Sequence, residues 1–167
     1  MSLLIFVCVG SRPYQFNRLF EELDGLVTAG RVRGEVFAQI GASTYEPRNF
    51  AFEHFMDPDD FKERMTEADI VISHGASGSI MGALNAGKKV IAVARLAKYG
   101  EHINDHQVGI NETLAAEGLV LAVREMDELG DAIEAMESGR VHLKPWHNPT
   151  PNAIIDEIDR FIQEEVL

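Results

Sequence analysis

The chain has 167 residues, the length of one ordinary domain, with 46% hydrophobic and 25% charged residues, close to the average for a protein with a buried core. Fifteen Lys and Arg against 27 Asp and Glu leave a net charge of −12. That balance argues against a nucleic-acid backbone or an anionic lipid surface as a direct partner, though not against one local basic pocket for a phosphate.

Residues 3–9 form a short apolar run ending at Gly10-Ser11. It carries the one cysteine, Cys8, which reads as a small buried hydrophobe and excludes an internal disulfide or a multi-cysteine metal site. With no basic segment before it the run is not a signal peptide, and no stretch approaches the ~18 apolar residues of a membrane span. A cytoplasmic chain without direct membrane insertion is expected. Phe16, Leu19, Phe20, Leu23 and Leu26 then recur at helical spacing. Residues 35–40 form the next apolar run, and residues 42–49 read as irregular. Asp57 and Pro58 have the chemistry of an N-cap and a first helical residue, opening a helix with Phe61, Met65 and Ala68 on its apolar face.

Residues 69–73 run into His74-Gly75, and Ile80, Ala83 and Leu84 mark a helix that stops at Gly87. Residues 89–94 end at Arg95, residues 105–117 form a helix stopped by Gly118, residues 119–123 form a last run, and residues 126–136 form another helix. The stretch 141–150, with Pro145, Trp146 and Pro149, reads as an arm leading to an amphipathic helix with Ile154, Ile155, Ile158, Phe161, Ile162 and Val166. Runs rich in Val and Ile and bounded by glycine or polar turns read as strands covered on both faces. Their alternation with helices predicts an α/β fold: a single Rossmann-like domain over 1–167 with a parallel sheet and right-handed crossovers. Within it, the arm and helix of 141–167 pack on their own sheet or present the Ile/Phe stripe and Trp146 to a partner.

Ligands of open parallel sheets bind outside the carboxyl ends of the strands. Three such ends are unusual here: Gly10-Ser11-Arg12, His74-Gly75-Ala76-Ser77-Gly78-Ser79, and residues 95–107. In the second, small side chains at a helix start let a phosphate approach free amides at the positive end of the helix dipole. A tight turn with no ligand fits the same letters, and neither the P-loop nor the dinucleotide fingerprint is matched. In the third, Arg95 and Lys98 suit phosphate oxygens, and Asp105 and Gln107 suit sugar hydroxyls. Asp105 is also a natural cap for the helix that follows. His102 and His106 have no obvious third ligand, so no metal site is expected.

His74 to Ser79, with Val93-Ala94-Arg95-Leu96-Ala97-Lys98-Tyr99-Gly100-Glu101-His102-Ile103-Asn104-Asp105-His106-Gln107, resembles the glycosyltransferase family 28 C-terminal domain. The opening residues 5–11 and the 39–43 segment, with Tyr45, Pro47 and Asn49, fit the same pattern. More narrowly, the chain is similar to the PssE-type small subunits of bacterial exopolysaccharide glycosyltransferases, whose eukaryotic relative is the cytosolic subunit of the dolichol-linked GlcNAc transferase.

The resemblance implies the donor-binding, C-terminal half of a GT-B glycosyltransferase. The acceptor-binding half would be a separate membrane-anchored subunit that holds this chain at the inner membrane. Carried over by position, Gly10 and Ser11 approach the phosphates of a UDP-sugar. Gly75, Ala76, Ser77, Gly78 and Ser79 hold the diphosphate. Phe55 and Met56 lie near the uracil, and Asp105 and Gln107 meet the sugar. His74 and His102 are candidate proton carriers, no cofactor beyond the UDP-sugar donor is implied, and the acceptor is a lipid-linked saccharide. One departure is Gly82, where many family members carry a ribose-binding glutamate. Ala76 replaces a common glycine, and Ala94 a frequent proline.

Two other classes compete. A non-catalytic nucleotide-sugar-binding enhancer subunit would bind UDP beside a partner that turns over alone. A nucleotide N-glycoside hydrolase would need a carboxylate soon after the Gly-rich loop, and no acid lies between Ser77 and Lys88.

Overall fold

A computed structural model of the chain describes residues 3–146. Five apolar runs become strands: β1 (Leu4–Cys8), β2 (Glu35–Gln39), β4 (Ile70–Ser73), β5 (Lys89–Val93) and β6 (Leu121–Val123). A short β3 (Ala51–Glu53) adds an edge. All neighbours pair in parallel, in the order β3-β2-β1-β4-β5-β6.

The two-residue period of an extended strand sends alternate side chains to opposite faces. Ile5, Val7 and Val9 therefore join one core with Phe16, Leu19 and Phe20, under α1 (Asn17–Thr28) and α5 (Leu129–Glu137). Phe6 and Cys8 join the other with Met65, Ile80, Ile110 and Leu114, under α2 (Pro58–Glu67), α3 (Ser77–Asn85) and α4 (His106–Ala116). Burial pushes the Cys8 thiol up to about 12, against a smaller opposing pull from Ser73, so Cys8 is the inert hydrophobe its setting implies.

Asp57 caps α2 as its sequence predicts, accepting from the Asp59 N–H at 2.9 Å ahead of Pro58. The start of α1 is built differently. Its flanking residue Phe16 offers no side-chain cap, and Ser43 Oγ instead accepts from the Phe16 N–H at 2.9 Å. Asn17 Oδ1 accepts from the N–H groups of Thr44 and Tyr45.

The stretch 42–49 has no regular structure yet is well tied. The Asp24 carboxylate, on α1, accepts from the Tyr45 hydroxyl at 2.7 Å, the amides of Arg48 and Asn49, and the Asn49 side chain. Burial raises the pKa of Asp24, and these donors outweigh it to leave the group below its ordinary value.

β3 was not legible from sequence. Ala51 and Glu53 are exposed, so the strand carries no apolar run and exists through its pairing with β2. The arm over residues 141–146 lies on the domain, with the Lys144 N–H donating to Gly118 O at 2.8 Å and Trp146 Nε1 to Asn85 Oδ1 at 2.7 Å. The helix expected at 154–166 lies outside the described residues.

Candidate functional site

Chain direction sets the site. From β1 the chain crosses to β2 on one side, and from β4 to β5 on the other, so a crevice opens at the carboxyl ends of β1 and β4. Register pairs Cys8 with Ser73, so the loops beginning at Val9 and His74 leave the sheet side by side.

The first loop is clamped from beneath. Gln39, buried at the end of β2, accepts through Oε1 from the N–H groups of Val9 and Gly10 at 3.1 Å each. Its Nε2 donates to Gly10 O at 2.9 Å and His54 O at 3.0 Å. Gly10 has φ +79°, and a methyl there would lie 3.0 Å from His74 Nε2. His74 itself is 3% exposed, with Nδ1 3.3 Å from Cys8 O. Burial, and then the nearby Arg95 charge, bring its pKa down to about 3. A neutral ring facing a carbonyl donates through Nδ1. His74, expected as a candidate proton carrier, is thus a neutral ring that holds the first loop.

The second loop turns at Gly75, φ +84°, where a methyl would meet Asn111 Oδ1 at 2.8 Å. Ala76 is extended and α3 starts at once, with no side-chain cap; the Ile80 N–H is bonded back to Ala76 O at 3.1 Å. The amides of the first turn, residues 77–79, are the groups a helix start leaves for outside acceptors. Gly78 is exposed and Ser79 half-buried.

The third stretch turns partly inward. Arg95, expected at phosphate oxygens, has no exposed surface. Its guanidinium turns inward, where Nη2 donates to Val9 O at 2.7 Å and Tyr14 O at 3.2 Å, while Nε and Nη1 have no partner among the described residues. Burial brings its pKa down to about 10, partly offset by Glu101, so it stays charged. Gln107 is buried as well, its Oε1 accepting from the Arg95 N–H at 3.0 Å. Asp105 is exposed and precedes α4 but makes no cap. Its Oδ1 accepts from the Ala97 N–H at 2.7 Å. His102 is half-buried, its ring centroid 5.1 Å from that of Tyr14 and 4.7 Å from that of His106.

Gly10, Ser11, His74, Gly75, Ala76, Ser77, Gly78 and Ser79 thus share one crevice, and Arg95 and Gln107 lie beneath its walls. Met56 follows β3 at the sheet edge, two strands from β1, half-buried against the second core. Gly82 is exposed, with open space where a side chain would begin. Among the described residues, no group of three or more His, Cys, Asp or Glu is placed to hold a metal ion.

Sequence reading missed four residues that shape this site. Gln39 left a signal, since a lone amide ending an apolar strand is buried and must find partners. Glu101 and Arg18 meet across the fold, with both carboxylate oxygens at 2.9 Å from the guanidinium. Asn111 is buried in α4 below Gly75, with neither amide atom partnered among the described residues. Glu101 lies in the polar run of 95–107, but nothing in the local sequence marks Arg18 or Asn111.

Residues 4–150 match the glycosyltransferase family 28 C-terminal domain. Among curated proteins, the mouse UDP-N-acetylglucosamine transferase subunit ALG13 is 34% identical over 85 residues, a stretch covering 48% of this chain and 7% of that protein. The fold resembles the kitacinnamycin glycosyltransferase with a TM-score of 0.63 and 18% identity, over 98% of this chain and 39% of that one. It also resembles the solution structure of ALG13, with a TM-score of 0.60 and 17% identity, over 95% of this chain and 97% of that one.

Proposed function

Since this chain belongs to the glycosyltransferase family 28 C-terminal domain family, we propose that it is the donor-binding subunit of a two-component, inverting glycosyltransferase. It takes a UDP-sugar and passes the hexose to a lipid-linked saccharide in exopolysaccharide or capsule assembly. The acceptor side belongs to a membrane-anchored partner, and the chain works in the cytoplasm, at the membrane surface through that partner. Similarity to ALG13, whose name makes it a subunit of a UDP-N-acetylglucosamine transferase, supports both the nucleotide-sugar donor and the divided architecture. Among the described residues no helix is long and apolar enough to cross a membrane.

One observation carries the reading: the uncapped first turn of α3 opens beside the Gly10 loop at the point where strand order reverses. When the bond from the sugar to the β-phosphate breaks, negative charge grows on the departing UDP. Amides fixed in place before the reaction stabilise that charge without reorganising, and losing one such donor typically costs ~3 kcal/mol in the transition state. Gly75 keeps the turn open, Gly10 and Ser11 close the other side, and Asp105 faces the sugar from the third loop. His74 and Arg95 act here as positioning residues that hold the loops. With His74 neutral and buried, the base for the acceptor hydroxyl comes from the partner.

The test is a calorimetric panel of UDP, UDP-sugars and other nucleotides against the purified chain, followed by transfer assays with the partner added. Selective binding of uridine diphosphates, with transfer requiring both chains, is expected. A partner that transfers alone, only more slowly, would instead make this chain an enhancer.

A further inference from the structure

The second loop and the α3 start account for a diphosphate on one side of the crevice. At the first and third loops lies a group of side chains that this reading leaves unused. Arg12 is exposed on the first loop and makes no ion pair among the described residues. Two residues on, Tyr14 is held by Arg95 through its carbonyl and packs on the His102 ring, which in turn meets His106 edge-on.

The loop ties both rings down. Asn104 Oδ1 accepts from the His106 backbone N–H at 3.1 Å and lies against His106 Nδ1. The Asn104 N–H donates to His102 Nδ1 at 3.4 Å.

We propose that His106, with Arg12 and His102, forms an anion-binding set at the first and third loops, and that His106 takes up a proton from solvent when the donor's diphosphate binds. This rests on the donor-binding reading above and deepens it: donor affinity becomes proton-linked.

The surrounding charges give the direction. The first loop contributes the Arg12 cation and the neutral Tyr14, and the end of β4 contributes the neutral His74. The third loop contributes the Arg95 cation. Its carboxylates are engaged: Glu101 with Arg18 and the Leu96 N–H, and Asp105 with the Ala97 N–H. Burial first, and then the Arg12 charge, hold His106 below the usual histidine value. Burial, His106, Arg95 and Arg12 do the same to His102. An arriving diphosphate reverses the balance, because an opposite charge nearby favours the imidazolium. Binding then consumes a proton between the lowered free pKa and the raised bound one. Affinity rises as pH falls through that window, by up to about tenfold per pH unit for one full proton.

Isothermal titration of UDP-glucose and UDP-N-acetylglucosamine into the full chain tests this, since their esterified diphosphate does not titrate over pH 6 to 8. Runs in two buffers of different ionisation heat count the protons. The expected result is binding about fivefold tighter at pH 6.0 than at pH 7.5, with proton uptake that disappears in H106Q. H102Q should weaken binding and keep the uptake. Histidine NMR titration of the wild-type chain gives a second readout, in which His106 must titrate at higher pH with UDP-glucose bound than without it. Binding with no uptake, or uptake that survives H106Q, overturns the proposal and leaves the donor site standing. Absence of any UDP-sugar binding removes the donor reading and this proposal together.

Discussion

Glu101 is the residue whose loss best tests how the site is held. Its side chain is 1% exposed, and both oxygens meet Arg18 at 2.9 Å, while Oε1 also accepts from the Leu96 N–H at 2.9 Å. Breaking a buried pair by removing one partner costs about 3–5 kcal/mol. Here the cost falls at the low end, because Arg18 keeps 20% of its side chain in solvent and retains its stacking on Tyr99 at 4.6 Å. The orphaned Leu96 N–H adds to it. E101A should therefore lose about 3 kcal/mol in urea unfolding followed by circular dichroism, and about 6–12 °C in Tm for a chain of this size. E101Q retains an acceptor for Leu96 and should lose about half as much. In a double-mutant cycle with R18M the two changes should couple by about 2 kcal/mol, since each alone breaks the same contact. UDP-sugar binding should weaken in E101A, because residues 96–105 lose their tether to α1. A loss below about 1 kcal/mol, or strict additivity with R18M, would refute the claim that this pair anchors the third loop.

Three further outcomes are expected. G75A places a methyl 2.8 Å from Asn111 Oδ1 at φ +84°, so it should cost about 2–3 kcal/mol in thermal unfolding and weaken UDP-sugar binding. S79D puts a carboxylate in the first turn of α3, where the helix dipole favours it by a few tenths of a kcal/mol. Stability should hold or rise while calorimetric UDP-sugar affinity drops at least about tenfold, because the same charge repels the diphosphate. For His74, the folded pKa of about 3 lies below the ordinary value, so the unfolded chain binds the proton first. Above about pH 6.5 both states leave the ring neutral and no protonation penalty applies, and stability falls as the solution is acidified below that value towards pH 3. H74Q should flatten that part of the stability–pH curve measured by urea unfolding.

Much of the fold was open to reading along the chain. Residues 70–72 and 90–94 are apolar without alternation, which a strand tolerates only when both faces are covered, and that called for a parallel sheet with helices on either side. Asp57-Pro58 announced α2, and the small residues of 75–79 announced the start of α3, because capping and glycine effects act within a few residues. What tertiary structure decided was which side chains face the crevice and which support it from behind. Arg95 and Gln107 look like surface ligands in a polar run. The register of β1 beside β4, with β5 next to it, instead carries Arg95 beneath the first loop, where it donates hydrogen bonds to two carbonyls. Glu101 finds Arg18 across 83 positions, and Gln39 finds Gly10 across 29. Strand propensity, capping and turn chemistry act over short range and can be read one segment at a time. The pairing of buried polar groups depends on loops brought together by the sheet, and that pairing determined which polar residues could still meet a ligand.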